Sequence, residues 1–306
     1  MRKLRHLAFA SGTGVAGNAT PPPPSAAREL PIRIGLVGDK GAPCPGRGVG
    51  ACGNATAAGN DVSVVAVGGV LAAEVDRCRE GLESQRIAVP KERVFAGWDA
   101  YEKVLAIPEV NYAILSPEAH FRPQYLRAAI EAGKHAFVTP PVAVDGPGVR
   151  SVMATAELAR TKGLGILVGY QRRFQANYVE TIRRLQDGAV GPIRFCEAFG
   201  NQGYTRLIEP RRPGWSDMEW QLRNWLYFTW LSGDLMLELH STNLDVINWL
   251  LESHPLRAFG VGGRQANPDP DLGDIYDHFS VEYEYPEDVQ LFSQCRAMDG
   301  CQGRLG

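Results

Sequence analysis

Ile32-Arg-Ile-Gly-Leu-Val-Gly38 is a short apolar run ending on glycine, and a glycine-rich stretch follows it from Gly38 to Gly50. A run this short and apolar reads as a strand buried on both faces of a parallel sheet. Residues 49–59 can form a helix, and Asp61-Val-Ser-Val-Val-Ala-Val-Gly68-Gly69 reads as a second strand. The alternation continues outward. Residues 71–84 have helical spacing, 110–117 read as a strand, and a helix runs to Ala132. His135 to Val138 reads as a strand, 147–162 as a helix and 165–169 as a strand. Strands alternating with helices imply βαβ units in a doubly wound sheet.

The pattern changes after Phe174. Residues 176–186 read as a linking helix stopped by Asp187-Gly188, and 193–203 as a long strand. Residues 218–231 and 235–251 are helical in spacing. Residues 255–265, 278–285 and 289–298 read as strands, the last two joined by a turn at Pro286-Glu-Asp288. The expected fold class is therefore α/β: a Rossmann dinucleotide-binding domain over residues 31–172, then an α+β domain over 173–306 with a mostly antiparallel open sheet. The final strand would leave an open edge, an association surface through which the chain would form a homo-oligomer. The second domain reads as short at its C-terminus.

Composition narrows the function classes. Apolar residues make up 44% and charged residues 22% of 306, and the net charge is −2. That balance gives no electrostatic case for nucleic acid, and no run is long and apolar enough to span a bilayer. The six cysteines lack Cys-x-x-Cys spacing, which argues against a zinc site or a disulfide framework; no metal is expected. Residues 1–30 carry a basic start, a weakly apolar stretch and Pro21 to Pro24. They read either as an export signal, which would make the protein periplasmic, or as the disordered tail of a cytoplasmic one.

A strand, a glycine loop and a helix N-terminus make a pyrophosphate site, because bare backbone admits the ligand and free N–H groups face it. Here Gly38-Asp39-Lys40-Gly41-Ala-Pro-Cys-Pro-Gly46-Arg47-Gly48 departs from Gly-x-Gly-x-x-Gly, and Pro43 and Pro45 remove donors. Gly46, Arg47 and Gly48 still offer a helix start and one cation. The acid that would hold the ribose hydroxyls at the end of the second strand is replaced by Gly68-Gly69. The sequence is compatible with a nucleotide site and equally with a scaffold that holds nucleotide poorly.

Several motifs resemble the Gfo/Idh/MocA family of glucose–fructose oxidoreductase and inositol dehydrogenase relatives. They are Ala132-Gly-Lys-His-Ala-Phe-Val, Pro141-Val-Ala-Val-Asp145, Val168-Gly-Tyr-Gln-Arg-Arg-Phe174, Pro213-Gly-Trp-Ser-Asp-Met-Glu219, Arg223-Asn224-Trp225, Gly233-Asp234 and Asn243-Leu-Asp245-Val-Ile-Asn-Trp249. The resemblance implies an NAD- or NADP-dependent oxidoreductase acting on a sugar, polyol or cyclitol hydroxyl. Gly38, Gly46, Arg47 and Gly48 would take the pyrophosphate, and Ser116, Pro117 and Thr139 would line the nicotinamide side. Arg172, Arg173, Tyr204, Trp215, Asp217, Arg223 and Asn224 would line the sugar site. Alternatively, the tryptophans of this region simply pack in the core.

Two departures bear on catalysis. The family's Glu-Lys-Pro loop reads Thr139-Pro140-Pro141, and Thr242 stands where a histidine is expected. Glu238, Thr242 and Asp245 would share one helical face, with His240 off it. His240 is the surviving candidate base, oriented by Glu238 or Asp245; it reads equally as a polar structural histidine. Lys134 is expected to be solvated. The alternative to an enzyme is a catalytically inactive paralogue that binds sugar or nucleotide or serves as an assembly subunit.

Overall fold

The computed structural model describes residues 31–39, 47–59, 61–203, 208–266 and 273–306. The N-terminal segment, Gly46 and Tyr204 lie outside the described residues. Six strands form one parallel sheet: β1 (Ile32–Val37), β2 (Val62–Gly69), β3 (Val94–Ala96), β4 (Tyr112–Leu115), β5 (His135–Val138) and β6 (Ile166–Val168). Their order is β3-β2-β1-β4-β5-β6, so the winding reverses between β1 and β4, where open α/β sheets bind ligands.

Helices cover both faces. α1 (Arg47–Ala58) and α2 (Ala72–Ser84) pack on Ile34, Leu36, Val64, Val67 and Ile114. α3 (Ala100–Leu105), α4 (Arg122–Glu131) and α5 (Gly146–Lys162) cover Val37, Ala113, Leu115 and Val138. Gly35 lets α3 approach closely, since a Cβ there would lie 2.6 Å from Val104. Asp145 caps α5 by accepting from the Gly148 amide at 2.7 Å, and Gly163 ends the helix at φ 67°. β3 and α3 escape the sequence reading because three and six residues are too few to show a period.

α6 (Ala176–Gln186) leads into the second domain. Its sheet comprises β7 (Phe195–Gln202), β8 (Arg257–Gly263), β9 (His278–Glu284), β10 (Gln290–Ala297) and β11 (Arg304–Leu305), in the order β11-β7-β10-β9-β8. All neighbours are antiparallel except β7 and β10, which run parallel. The expected open edge at the last long strand is corrected, since β10 lies in the middle and β8 forms one edge.

The two long helices expected over 218–231 and 235–251 are also corrected. The first is broken into α7 (Asp217–Arg223), a 3₁₀ turn at Trp225–Tyr227 and α8 (Thr229–Ser232). The second is α9 (Asp234–Glu238) followed by α10 (Ser241–Leu251). Gly233 and Asp234 both have positive φ, 76° and 70°, which no helix continues through. The Asp234 carboxylate compensates by accepting from the amides of Leu235 at 2.6 Å and Tyr276 at 3.0 Å. α7 starts on a Ser-x-x-Glu cap in which Ser216 accepts from the Glu219 amide at 3.1 Å. A core of Leu222, Trp225, Tyr227, Leu231 and Cys295 extends to Val70, Leu71 and Phe121, which joins the two domains.

Candidate functional site

The switch point of the first sheet presents bare backbone. β1 ends into Gly38, whose φ is 73°, and a Cβ there would lie 2.6 Å from the Pro117 Cα. Across the turn, a Cβ at Gly48 would lie 2.8 Å from the Gly38 carbonyl oxygen. Only glycine fits at either position. Ser116 and Thr139 are buried beside this point, with their hydroxyls 3.5 Å apart. The groove is also lined by Gly68, Gly69, Val70, Glu74, Glu118 and Tyr125. One anion already stands at the start of α1, where Asp39 Oδ1 accepts from the Val49 amide at 2.9 Å. Glu74 reaches this lining from α2, although no acid ends β2.

Arg47 is the first residue of α1, yet its guanidinium points to the other domain. It donates to the Pro140 carbonyl at 2.9 Å and pairs with Glu238 Oε1 at 2.7 Å. The other Glu238 oxygen lies 3.9 Å from Arg122 Nη1. Arg122 is fully buried and donates to the Pro117 carbonyl at 3.0 Å and the Pro141 carbonyl at 2.6 Å. The Pro140–Pro141 peptide is cis. Burial drives both buried partners toward neutrality, the Glu238 carboxyl upward and the Arg122 guanidinium down to about 10, while their mutual attraction opposes it. Two expectations are thereby corrected. Glu238 orients no histidine, and the Arg47 cation is directed to Glu238.

His240 is completely buried at the junction of α9 and α10. It lies against β7 so closely that a Cβ at Gly200 would sit 2.6 Å from Nδ1. The Asn243 amide nitrogen lies 3.0 Å from Nδ1 and also donates to the Phe199 carbonyl at 3.0 Å. An amide nitrogen only donates, so Nδ1 must accept, and Nε2 carries the proton to Ser293 Oγ at 2.8 Å. Burial, aided by the Arg172 charge, lowers the imidazole to about 4. A ring with both nitrogens engaged and no exposure cannot take a substrate proton. The expected base is therefore corrected to a structural histidine. The premise of one continuous helical face also fails, because the helix breaks at this residue.

Asp245 is held by Arg173, with Oδ2 to Nε at 2.7 Å and Oδ1 to Nη2 at 2.9 Å. Arg173 also lies over the Trp249 ring at 5.4 Å. Arg172 donates to the Asn243 side-chain oxygen. Trp215 and Arg223 form a second cluster around α7, with the guanidinium 4.3 Å from the ring centroid. Asp217 there pairs with Arg211. Asn224, expected to contact sugar, is buried and shapes its own backbone, accepting from the Glu209 amide at 2.8 Å and donating to its carbonyl at 3.1 Å. Lys134 is likewise corrected. It is buried with Nζ 3.3 Å from the Ile107 carbonyl, and desolvation lowers its pKa. Sequence reading missed Arg122, Asn243 and Ser293, whose partners lie 19 to 116 positions away in their pairings with Pro141, Glu238, Phe199 and His240. No His, Cys, Asp or Glu cluster able to hold a metal occurs among the described residues, and none of their helices is long and apolar enough to cross a membrane.

The doubly wound parallel sheet followed by a mixed five-stranded sheet is a two-part fold that the chain shares with solved oxidoreductases. No family model matches the chain. It is 35% identical over 101 residues to the inositol 2-dehydrogenase of Agrobacterium fabrum, a stretch covering 33% of this chain and 29% of that protein. Its fold is similar to that of the aldose-aldose oxidoreductase from Caulobacter crescentus, complexed with glycerol. The TM-score is 0.67 at 16% identity, covering 89% of this chain and 72% of the other. It is similar also to scyllo-inositol dehydrogenase from Lactobacillus casei with bound NAD(H) and scyllo-inositol, with a TM-score of 0.66 at 16% identity over 90% of this chain and 72% of the other. The sequence match thus spans less than a third of the curated relative, and the structural likenesses establish the shared fold.

Proposed function

We propose that the protein is an oxidoreductase acting on a hydroxyl of a sugar, polyol or cyclitol, with NAD or NADP as its hydride acceptor. The observation that carries this reading is the close backbone approach at the switch point, where a Cβ at Gly38 would lie 2.6 Å from the Pro117 Cα and one at Gly48 2.8 Å from the Gly38 carbonyl oxygen. Gly38, Gly48, Ser116, Pro117 and Thr139 would hold the dinucleotide, and the residues at this end of the groove fit that role. The cofactor, when bound, supplies the hydride acceptor. Arg47, bonded to the Pro140 carbonyl, sets a positive charge beside the loop that lacks the expected lysine. That charge is paired with Glu238, and a guanidinium is no base. His240 takes no part, and Thr242 offers only a hydroxyl.

A second reading is favoured by one observation: Glu238, His240 and Asp245 are all engaged by protein partners. In that reading the protein is a paralogue that binds its ligand without turnover. Calorimetric titration with NAD and NADP, followed by assay against a polyol panel, separates the two. Saturable cofactor binding with turnover supports the oxidoreductase; no binding at millimolar cofactor sinks it. If cofactor binds without turnover, Pro140→Lys with Thr242→His is expected to restore activity. The proposed homo-oligomer is supported by the second sheet, where Phe259 and Val261 are 75% and 64% exposed. A monomeric mass by light scattering would count against it.

A further inference from the structure

Two arginines stand side by side after β6, at the carboxyl end of the first sheet, where open α/β folds take ligands. They differ in what holds them. Arg173 is neutralised by Asp245, which accepts from it at 2.7 and 2.9 Å. Arg172, half-buried, donates to the neutral side-chain oxygen of Asn243 and lies 5.4 Å from the Tyr178 ring centroid. No carboxylate among the described residues pairs with it. The guanidinium is held from behind. Asn243 is buried on α10, and its amide nitrogen is committed to the Phe199 carbonyl and to His240 Nδ1, both at 3.0 Å, so its oxygen is the atom left for Arg172. His240 is anchored in turn on Ser293 at 2.8 Å. Burial first and the Arg172 charge second keep that imidazole neutral. A cation fixed in this way has little freedom left to lose when it takes a ligand.

The other charges of this junction are matched. Arg47 and Arg122 face Glu238, and Arg122 also lies in the field of Glu118. With Asp245 on Arg173, three carboxylates stand against four guanidinium groups, and the one left over is Arg172. Ser241, two residues before Asn243, is buried, and its hydroxyl approaches the Tyr170 phenol yet completes no hydrogen bond among the described residues. We propose that Arg172 is the recognition point for a carboxylate, so that the ligand of the crevice between the domains is a sugar acid of the hexuronate type, with the Ser241 hydroxyl as a further donor. A carboxylate carries the single negative charge that Arg172 lacks and fits the planar fork of a guanidinium; a phosphate dianion would leave one charge uncompensated. The inference rests on the proposed function in taking this crevice to be the substrate site, and it narrows the substrate to one that bears an acid group.

The test titrates the full chain by calorimetry with galacturonate and glucuronate, each against its neutral counterpart, galactose or glucose. At least one acid is expected to bind roughly ten- to hundred-fold more tightly than its neutral partner, the scale of a hydrogen bond to a charged group. The methyl ester of that acid, which keeps the shape and removes the charge, should lose the advantage. Arg172→Gln should lose it too, while Arg172→Lys, a point charge without the fork, should keep part of it. The ester needs no variant to fold, so the charge is tested in the native chain. No binding of either acid at millimolar concentration, equal affinity for acid and neutral sugar, or an advantage that survives Arg172→Gln in a folded variant overturns the inference. Tighter binding of glucose 6-phosphate than of both acids overturns the carboxylate and assigns the cation to phosphate. Acid binding without turnover in the presence of NAD and NADP upholds the inference and sinks the oxidoreductase; turnover of neutral polyols without acid preference does the reverse.

Discussion

The groove at the end of β1 keeps glycines at positions of close backbone approach and is lined by the carboxylates of Asp39, Glu74 and Glu118. The junction between α9 and α10 carries the candidate catalytic side chains Glu238 and His240 and turns both onto protein partners. Gly38 and Gly48 permit close backbone packing at the first place. At the second, His240 has no exposed surface and Glu238 is 5% exposed. The contrast shows that the two halves of a site are maintained by different physics. Backbone shape persists as long as glycines hold positions that no Cβ fits. Titratable side chains serve chemistry only where solvent and substrate reach them; once buried against protein partners, the same residue types serve the fold.

The strongest way to break this comparison is Glu238→Ala. If Glu238 is a structural counter-ion, its loss leaves Arg122 buried and unpaired, and unfolding stability should fall by about 3–5 kcal/mol. Urea denaturation measures it; a loss below about 1 kcal/mol would mean that the cluster is wet and replaceable. His240→Ala comes next, at about 2–3 kcal/mol, because it strands the Asn243 amide and the Ser293 hydroxyl and opens a void. Any turnover the protein shows should survive the milder His240→Gln, and a rate that vanishes with a stable fold would restore His240 as a base.

The pH dependence sharpens the same point. The folded-state pKa of His240 is lowered from 6.5 to about 4, so the unfolded chain binds this proton first as pH falls. Its contribution is fully present above about pH 6.5 and is lost progressively as the pH drops toward about 4. Urea midpoints measured across that window should fall in wild type and fall less steeply in His240→Gln. Equal slopes would show that the ring titrates freely. The smallest effect is expected at Arg173, 29% exposed beside Asp245. Arg173→Ala should cost about 1 kcal/mol or less, and a larger loss would place that pair among the buried ones.

The doubly wound sheet was legible because Ile32–Val37, Tyr112–Leu115 and His135–Val138 are apolar runs that a parallel sheet buries on both faces. The helix break at His240 was not legible, because Leu235, Leu239 and Leu250 keep the apolar spacing of a continuous helix across it. The break is imposed from outside, by a ring lodged between Gly200 and Ser293. Gly38 and Gly48 could be named from their place after the first apolar run, although the loop departs from the usual spacing. The direction of Arg47 could not, since its partner Glu238 lies 191 positions away and enters through tertiary structure. Asp39 illustrates a subtler case: its position beside the glycines is plain in the sequence, but its carboxylate meets the Val49 amide of α1 only in the folded chain.

Arg122 has a mechanical consequence. It grips the carbonyls that follow β4 and β5 and, through Glu238, touches the second domain. Any hinge-like opening between the domains must therefore pull a guanidinium and a carboxylate apart in a medium that solvates neither. The small-amplitude breathing that would widen the cleft is coupled to release of both loops at once. Amide exchange at Glu118 and Val142 should then report the same opening event as exchange in α9, three segments sharing one protection factor because one side chain ties them.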